Sequence, residues 1–340
     1  MASLLQVFTE IKVLIFQELP SQDLLPIRLA YRLYRDLVTP LFIDSYFKTR
    51  YIMLERRSLQ TLLTILKHAG FALHADTLEF NLHHLLPFEE LVEIKPPCSL
   101  TSPQKDHLNG LDVDAYCAQW NNQEELMRTE FVLDCLTTAM SNLTQCKNLT
   151  FDHGNRPWGL DRIKEIIGIL PQRSLTFESG ASVRFVRHVL DIVLAAASTS
   201  KLQLEEINIS PGCLMENANR VSPDMLPHLS APITSLRHLH LVLDSDFPES
   251  GYTWDWEINL VRFTNSFPEL THFMLEFEDQ DDFFRFSEAS RSIYIPKLES
   301  LIVGLVGCTG DELADFLIRH KGTLREIRFD NINLTNSPMT

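Results

Sequence analysis

The sequence predicts an α/β chain: a small N-terminal unit of three helices, then a curved solenoid in which short strands and helices alternate. Three observations predict it. An L-x-x-L-x-L spacing recurs about every 30 residues through the body. Amphipathic segments with helix start and stop residues lie between the copies. The first fifty residues hold apolar side chains at helical spacing, broken by prolines, and carry the opposite net charge to the rest.

The opening unit comes first. In "VFTEIKVLIFQELP" (7–20), Ile11, Leu14, Ile15 and Glu18 fall on helical spacing and Pro20 ends the helix. Ser21 is placed to cap a short turn through Asp23 and Leu24. Pro26 stands near the start of a further helix. There Ile27, Ala30, Leu33, Tyr34 and Leu37 form one face, Arg28, Arg32 and Arg35 lie mostly outside it, and Pro40 closes it. An element of about 45 residues cannot bury all of these apolar groups alone, so an exposed patch or a partner is expected.

The body begins near residue 51. Its strand copies are Leu204/Ile207/Ile209, Leu236/Leu239/Leu241, Leu270/Phe273/Leu275, Leu298/Leu301/Val303 and Leu324/Ile327/Phe329. Weaker copies are Leu149/Phe151 and Leu175/Phe177, with an outlier at Leu78/Phe80. Between them, "TGDELADFLIRHKG" (309–322) has the spacing of a capping box in Thr309 and Glu312, and Gly322 offers a left-handed stop. Further helices are expected at roughly 160–169, 183–197 and 256–266. The polar stretch 98–122 reads as an inserted loop, with a helix resuming from about 123 to 140. A doubly wound sheet also alternates strand and helix, but it needs longer and more continuously apolar strands than these.

Composition narrows the function. The 340-residue chain is 45% hydrophobic and 22% charged, the profile of an ordered globular protein. Its net charge of −15 argues against nucleic acid as a partner. Residues 1–57 are +2, so the remainder is −17. No run of apolar residues is long enough for a membrane span, and Glu10 and Lys12 interrupt the one place where a secretion signal would sit. The six cysteines, Cys98, Cys117, Cys135, Cys146, Cys213 and Cys308, form no C-x-x-C pair. They read as free thiols in a reducing compartment, so a cytoplasmic or nuclear location is expected.

No enzyme signature stands out, and neither catalytic residues nor a cofactor are expected. His238, His240 and His272 share a strand face, a geometry in which a metal is imaginable, but no acidic ligand accompanies them and no metal is expected. "GLVGCTGDE" (304–312) lies between a strand and a helix but has neither the glycine spacing nor the Lys-Ser/Thr of a phosphate loop. "EFEDQDDFF" (276–284) reads as a solvated loop entering a helix, or as an acidic and aromatic anchor for a basic segment. "YTWDW" (252–256) poses the same choice. Strand alternation sends Glu206, Asn208, His238, His240, His272, Met274, Ser300, Ile302, Glu326 and Arg328 to the concave face. Such a mixed polar surface suits protein recognition better than small-molecule binding.

The order E-I-x-x-x-I-F-x-x-L-P-x-x-D-L-L-x-x-R-L-x-x-R-x-Y-R-D-L over residues 10–37 resembles an F-box, and the body resembles the leucine-rich repeats that often follow one. The chain is thus similar to the F-box/leucine-rich-repeat proteins, with an F-box-like domain over 1–50 and a repeat horseshoe over 51–340. The chain has Phe8 where that family has proline, and Ala30-Tyr31-Arg32 in place of Val-Cys-Arg. The resemblance implies a substrate-recognition subunit of an SCF (Skp–cullin–F-box) ubiquitin ligase. Docking on the Skp-family adaptor, and through it on cullin, would then fall to Phe8, Glu10, Ile11, Ile15, Leu19, Asp23, Leu24, Leu29 and Tyr34. The concave face would hold a protein substrate. The alternative is a non-catalytic repeat scaffold whose helices are only a cap.

Overall fold

The computed structural model describes residues 7–67, 73–93, 108–152, 159–171, 179–210, 221–243, 256–277 and 290–335. Eight strands form one parallel sheet: β1 (Thr49–Met53), β2 (Thr77–Asn81), β3 (Asn148–Asp152), β4 (Glu206–Ile209), β5 (His238–Leu243), β6 (His272–Phe277), β7 (Ser300–Gly304) and β9 (Glu326–Asp330). They are neighbours in the order in which they occur in the chain. A doubly wound sheet reverses its order at a switch point, and this sheet has none. Right-handed crossovers between parallel strands in this order carry the connecting helices to the same side of a sheet, while Met53 at the end of β1 packs into a second, smaller core.

The register shows why the apolar spacing works. Leu78, Leu149, Ile207, Leu239, Phe273, Leu301 and Ile327 align across the sheet, as do Ile52, Phe80, Phe151, Ile209, Leu241, Leu275, Val303 and Phe329. As far as β7 these two rows face a continuous core shared with α4 (Arg56–Leu66), α7 (Phe131–Asn142), α9 (Gly180–Ser200), α10 (Trp256–Asn265) and α11 (Gly310–His320). α9 is the central helix, buried from Ala181 to Ala197 along one side and held at its start by the Ser179 hydroxyl, which accepts from the Ser182 amide. The Leu149 and Ile207 strands pair directly, and the Leu175/Phe177 copy lies outside the described residues.

Several expectations change. β1 was not foreseen, and the expected boundary at residue 50 falls inside it. Its second residue, Arg50, occupies the row filled elsewhere by apolar residues. The guanidinium is fully buried, stacks 4.0 Å from the Phe47 ring centre and donates to the Tyr46 carbonyl at 2.6 Å. Burial lowers its pKa to about 10, so it keeps its charge at neutral pH. The polar stretch after residue 98 is no plain loop: residues 113–122 belong to α6 (Val113–Arg128), capped by Asp112, whose side chain accepts from the Ala115 amide. The Tyr116 ring is buried, and its hydroxyl ties this helix to the backbone of Leu86. Residues 98–107 lie outside the described set.

The prolines also behave differently. The helices are α1 (Thr9–Gln17), α2 (Ser21–Ala30) and α3 (Arg32–Phe47), so Pro26 and Pro40 both sit inside helices. The break comes at Tyr31, whose extended backbone (φ −146°) separates α2 from α3. The expected helices at 160–169, 183–197 and 256–266 appear as α8 (Leu160–Ile167), α9 and α10. α5 (Phe88–Glu93) is a further short helix.

At the far end, the capping box is as expected. Glu312 N–H donates to Thr309 Oγ1 at 3.3 Å and Thr309 N–H to Glu312 Oε2 at 3.0 Å. Gly322 is not left-handed; Lys321 closes the helix at φ −54°. Instead, Leu305 (φ 53°) and Asn331 (φ 54°) take the left-handed conformation, each one residue after its strand. The chain then enters β8 (Gly307–Thr309) and β10 (Asn333–Thr335), which pair in parallel. Thr309→Ala should cost about 1 kcal/mol in urea unfolding at neutral pH. An unchanged midpoint would mean the cap contributes nothing. No described helix is long and apolar enough to cross a membrane.

Candidate functional site

Two surfaces carry the residues that the sequence singled out. The first is the helical unit. Phe16, Leu24, Val38 and Phe42 form a core separate from that of the sheet, with Leu19, Ile27, Tyr34 and Leu37 packed around it. Phe16 and Tyr34 meet edge to face at 5.5 Å. Having a core of its own, the unit does not spend its remaining apolar side chains on folding. Phe8 is 80% exposed, Leu29 74% and Ile11 46%, and Ile15 is exposed with them. Glu10 and Asp23 lie at the surface among these groups.

The nine expected docking residues therefore divide. Phe8, Glu10, Ile11, Ile15, Asp23 and Leu29 are exposed, while Leu19 and Tyr34 are half-buried. Leu24 is corrected: only 2% of it is accessible, because the phase of α2 turns it onto α3 and turns Leu25 outward. Leu14, Leu25 and Tyr31 join the exposed set. Leu14 is three residues beyond Ile11 and on its face, which is the signal that could have found it. Nothing in the sequence separates Leu24 from Leu25.

The second surface is the sheet face away from the helices. All ten residues expected there align in two rows. Glu206, His238, His272, Ser300 and Glu326 make one, and Asn208, His240, Met274, Ile302 and Arg328 the other. The rows continue leftward through Asn148, Thr77 and Thr49, and through Thr150, Glu79 and Tyr51, which flank the weaker copies at Leu149/Phe151 and Leu78/Phe80 and at β1. Exposure is graded: Glu206, His238, His272, Glu326 and Arg328 are open, Asn208, His240, Met274 and Ile302 half-buried, and Ser300 buried.

At the centre, the His238 and His272 rings stack 4.3 Å apart. Burial lowers the His238 pKa and the neighbouring His272 lowers it further, against the opposing pull of Glu206 and Glu205. His240 is lowered by burial alone. His240 Nε2 and Asn208 Oδ1, neighbours across β4 and β5, are buried without a hydrogen-bond partner among the described residues. In a third row, Glu276 runs over Gly304, where a Cβ would sit 3.0 Å from its Cγ. That close approach accounts for the glycine in the stretch that mimics a phosphate loop. Burial and then Asp330 raise the Glu276 pKa.

Among the described residues, no group of three or more His, Cys, Asp or Glu side chains is placed to hold a metal ion. Most of "EFEDQDDFF" and of "YTWDW" lies outside the described residues. The sequence also gave no sign of a cavity of about 540 Å³ beyond the carboxyl ends of β1 and β2, lined by Glu55, His84, Gln123 and Arg162 among others. Its polar groups are largely turned on one another. Arg162 meets Glu55 at 2.7 Å, Glu55 also accepts from the Ser58 amide, and Gln123 bonds both backbone groups of Leu85. His84 donates through Nδ1 to the Leu82 carbonyl and accepts from the Ser182 hydroxyl at 2.7 Å. Ser182 is fully buried.

No protein-family model matches the chain, and no curated protein matches it significantly.

Proposed function

We propose that this chain is the substrate-recognition subunit of an SCF-type ubiquitin ligase. In this reading the F-box-like domain over residues 1–50 docks on the Skp-family adaptor, and the sheet with its helices is a leucine-rich-repeat solenoid that holds a protein substrate. The observation that carries it is the unit with a core of its own and an apolar surface left over. Phe8, Ile11, Leu14, Ile15, Leu25, Leu29 and Tyr31 are all exposed above a closed core of Phe16, Leu24, Val38 and Phe42. A patch of that kind is what an obligate partner covers. The parallel sheet, with strands in chain order and leucine-type residues stacked in two rows, supports the solenoid. The protein would then make and break no bond, and would act by holding substrate near a conjugating enzyme.

A scaffold whose helices merely cap the sheet is the second reading. One feature favours it: α3 runs directly into β1, and Phe47 at its end covers Arg50 at the sheet edge. That accounts for α3 but leaves the outer faces of α1 and α2 unexplained.

The test is co-purification with the Skp-family adaptor. The intact chain should retain it, and Ile11→Asp and Leu29→Asp should each lose it while keeping the circular dichroism of the parent. Leu24→Asp is unsuitable, since it would place a charge in the core. Absence of adaptor from the intact chain would overturn the ligase reading in favour of the scaffold.

A further inference from the structure

The two ends of the sheet are finished differently. At β1 the row residues Arg50 and Ile52 are fully buried. Along β5, β6 and β7 the equivalent residues are at most 2% exposed. At β9 the same two positions, Ile327 and Phe329, are 42% and 39% exposed. β9 is also an edge strand, joined on one side only to β7. Its Glu326 N–H donates to Glu299 on that side. Backbone direction alternates along a strand, so the N–H and C=O groups of Ile327 and Phe329 point outward, unpaired within the sheet.

We propose that this edge is a self-association surface, on which β9 pairs antiparallel with β9 of a second copy about a two-fold axis through Ile327. The choice of a second copy rests on charge. In the strand Glu326-Ile327-Arg328-Phe329-Asp330, an axis through Arg328 would set arginine against arginine and Glu326 against Asp330. An axis through Ile327 sets Glu326 of each copy opposite Arg328 of the other, two attractive pairs on the open face. It also joins Ile327 to Ile327 on the core side, where that apolar row would run on into the second copy, and sets Phe329 opposite Arg325. Because Ile327 points its backbone outward, its two copies exchange both hydrogen bonds. The interface is isologous, so every contact occurs twice. Two sheets would become one, with both concave faces on the same side and both helical units at the outer ends. This pairing is independent of the N-terminal face and of the ligase reading.

Sedimentation equilibrium of the full chain tests it. A strand edge of this length predicts a dimer with a Kd on the order of 10 µM. Glu326→Arg sets like charges opposite each other twice and should raise that Kd by roughly tenfold or more. The double variant Glu326→Arg/Arg328→Glu exchanges the two charges and should restore it to within about threefold. Both side chains are exposed, so circular dichroism should match the parent throughout. A chain that stays monomeric at about 100 µM, well above the expected Kd, overturns the proposal. So does a dimer that Glu326→Arg leaves unchanged, or a loss that the double variant fails to restore.

Discussion

Phe151→Ala should destabilise the protein by about 3–5 kcal/mol, seen as a large fall in the urea midpoint. Phe151 is wholly buried in the middle of β3, with Phe80 on one side and Ile209 on the other in the same row. Its ring lies 5.9 Å from that of Phe80. Truncation removes the ring's transfer free energy and leaves a cavity between a sheet and helices that are anchored on both sides. Phe329→Ala is the internal control, because it changes the same residue type in the same row at the sheet edge. Measured in dilute solution, it should cost under about 1 kcal/mol. Equal losses at the two positions would mean that the ladder is not buried as described.

Stability should also fall as the pH is lowered from 7 towards 5, and His84 should account for the largest single share. Burial holds its imidazole down at about 4, from an ordinary value of 6.5. The ring stacks 4.8 Å from Phe185, and its two nitrogens are taken up by the Leu82 carbonyl and the Ser182 hydroxyl. An imidazolium cannot accept the serine proton, and it would be desolvated as well. Between pH 6.5 and 4 the unfolded chain therefore binds a proton that the native chain does not, so stability is lost with falling pH. The loss attributable to His84 is about 2 kcal/mol by pH 5. Burial lowers His188, His240 and His320 in the same direction and steepens the fall. Urea titrations of His84→Asn should start from a lower stability at pH 7 and lose less between pH 7 and 5. An unaltered slope would remove His84 from the account.

Much of the sheet was legible because its cause is local. Each strand from β4 onward announces itself by apolar residues two apart, preceded three residues earlier by another, and the alternate positions are polar where the face is open. β1 was hidden by Arg50, since a charge in an apolar row reads as the end of a strand. The contradiction resolves only in three dimensions, where Phe47 and the Tyr46 carbonyl enclose the guanidinium at the sheet edge. α6 was hidden by its polar surface, with Tyr116 and Leu126 its fully buried residues. The concave residues were readable from period-two alternation. The docking face was readable only in part, because the rotation that buries Leu24 and exposes Leu25 is set by packing of α2 on α3, which no spacing in α2 records. Uncovered apolar groups on β9 were equally invisible, since Ile327 and Phe329 look like any other copy until the sheet is seen to stop beside them.

Hydrogen exchange of the full chain, with and without purified Skp-family adaptor, tests the central claim most directly. Slowed exchange should be concentrated in residues 8–31, the stretch that carries the exposed apolar groups, with the strands of the open face unchanged. Identical exchange with and without adaptor, or slowing confined to the sheet, would contradict the assignment of this surface to docking.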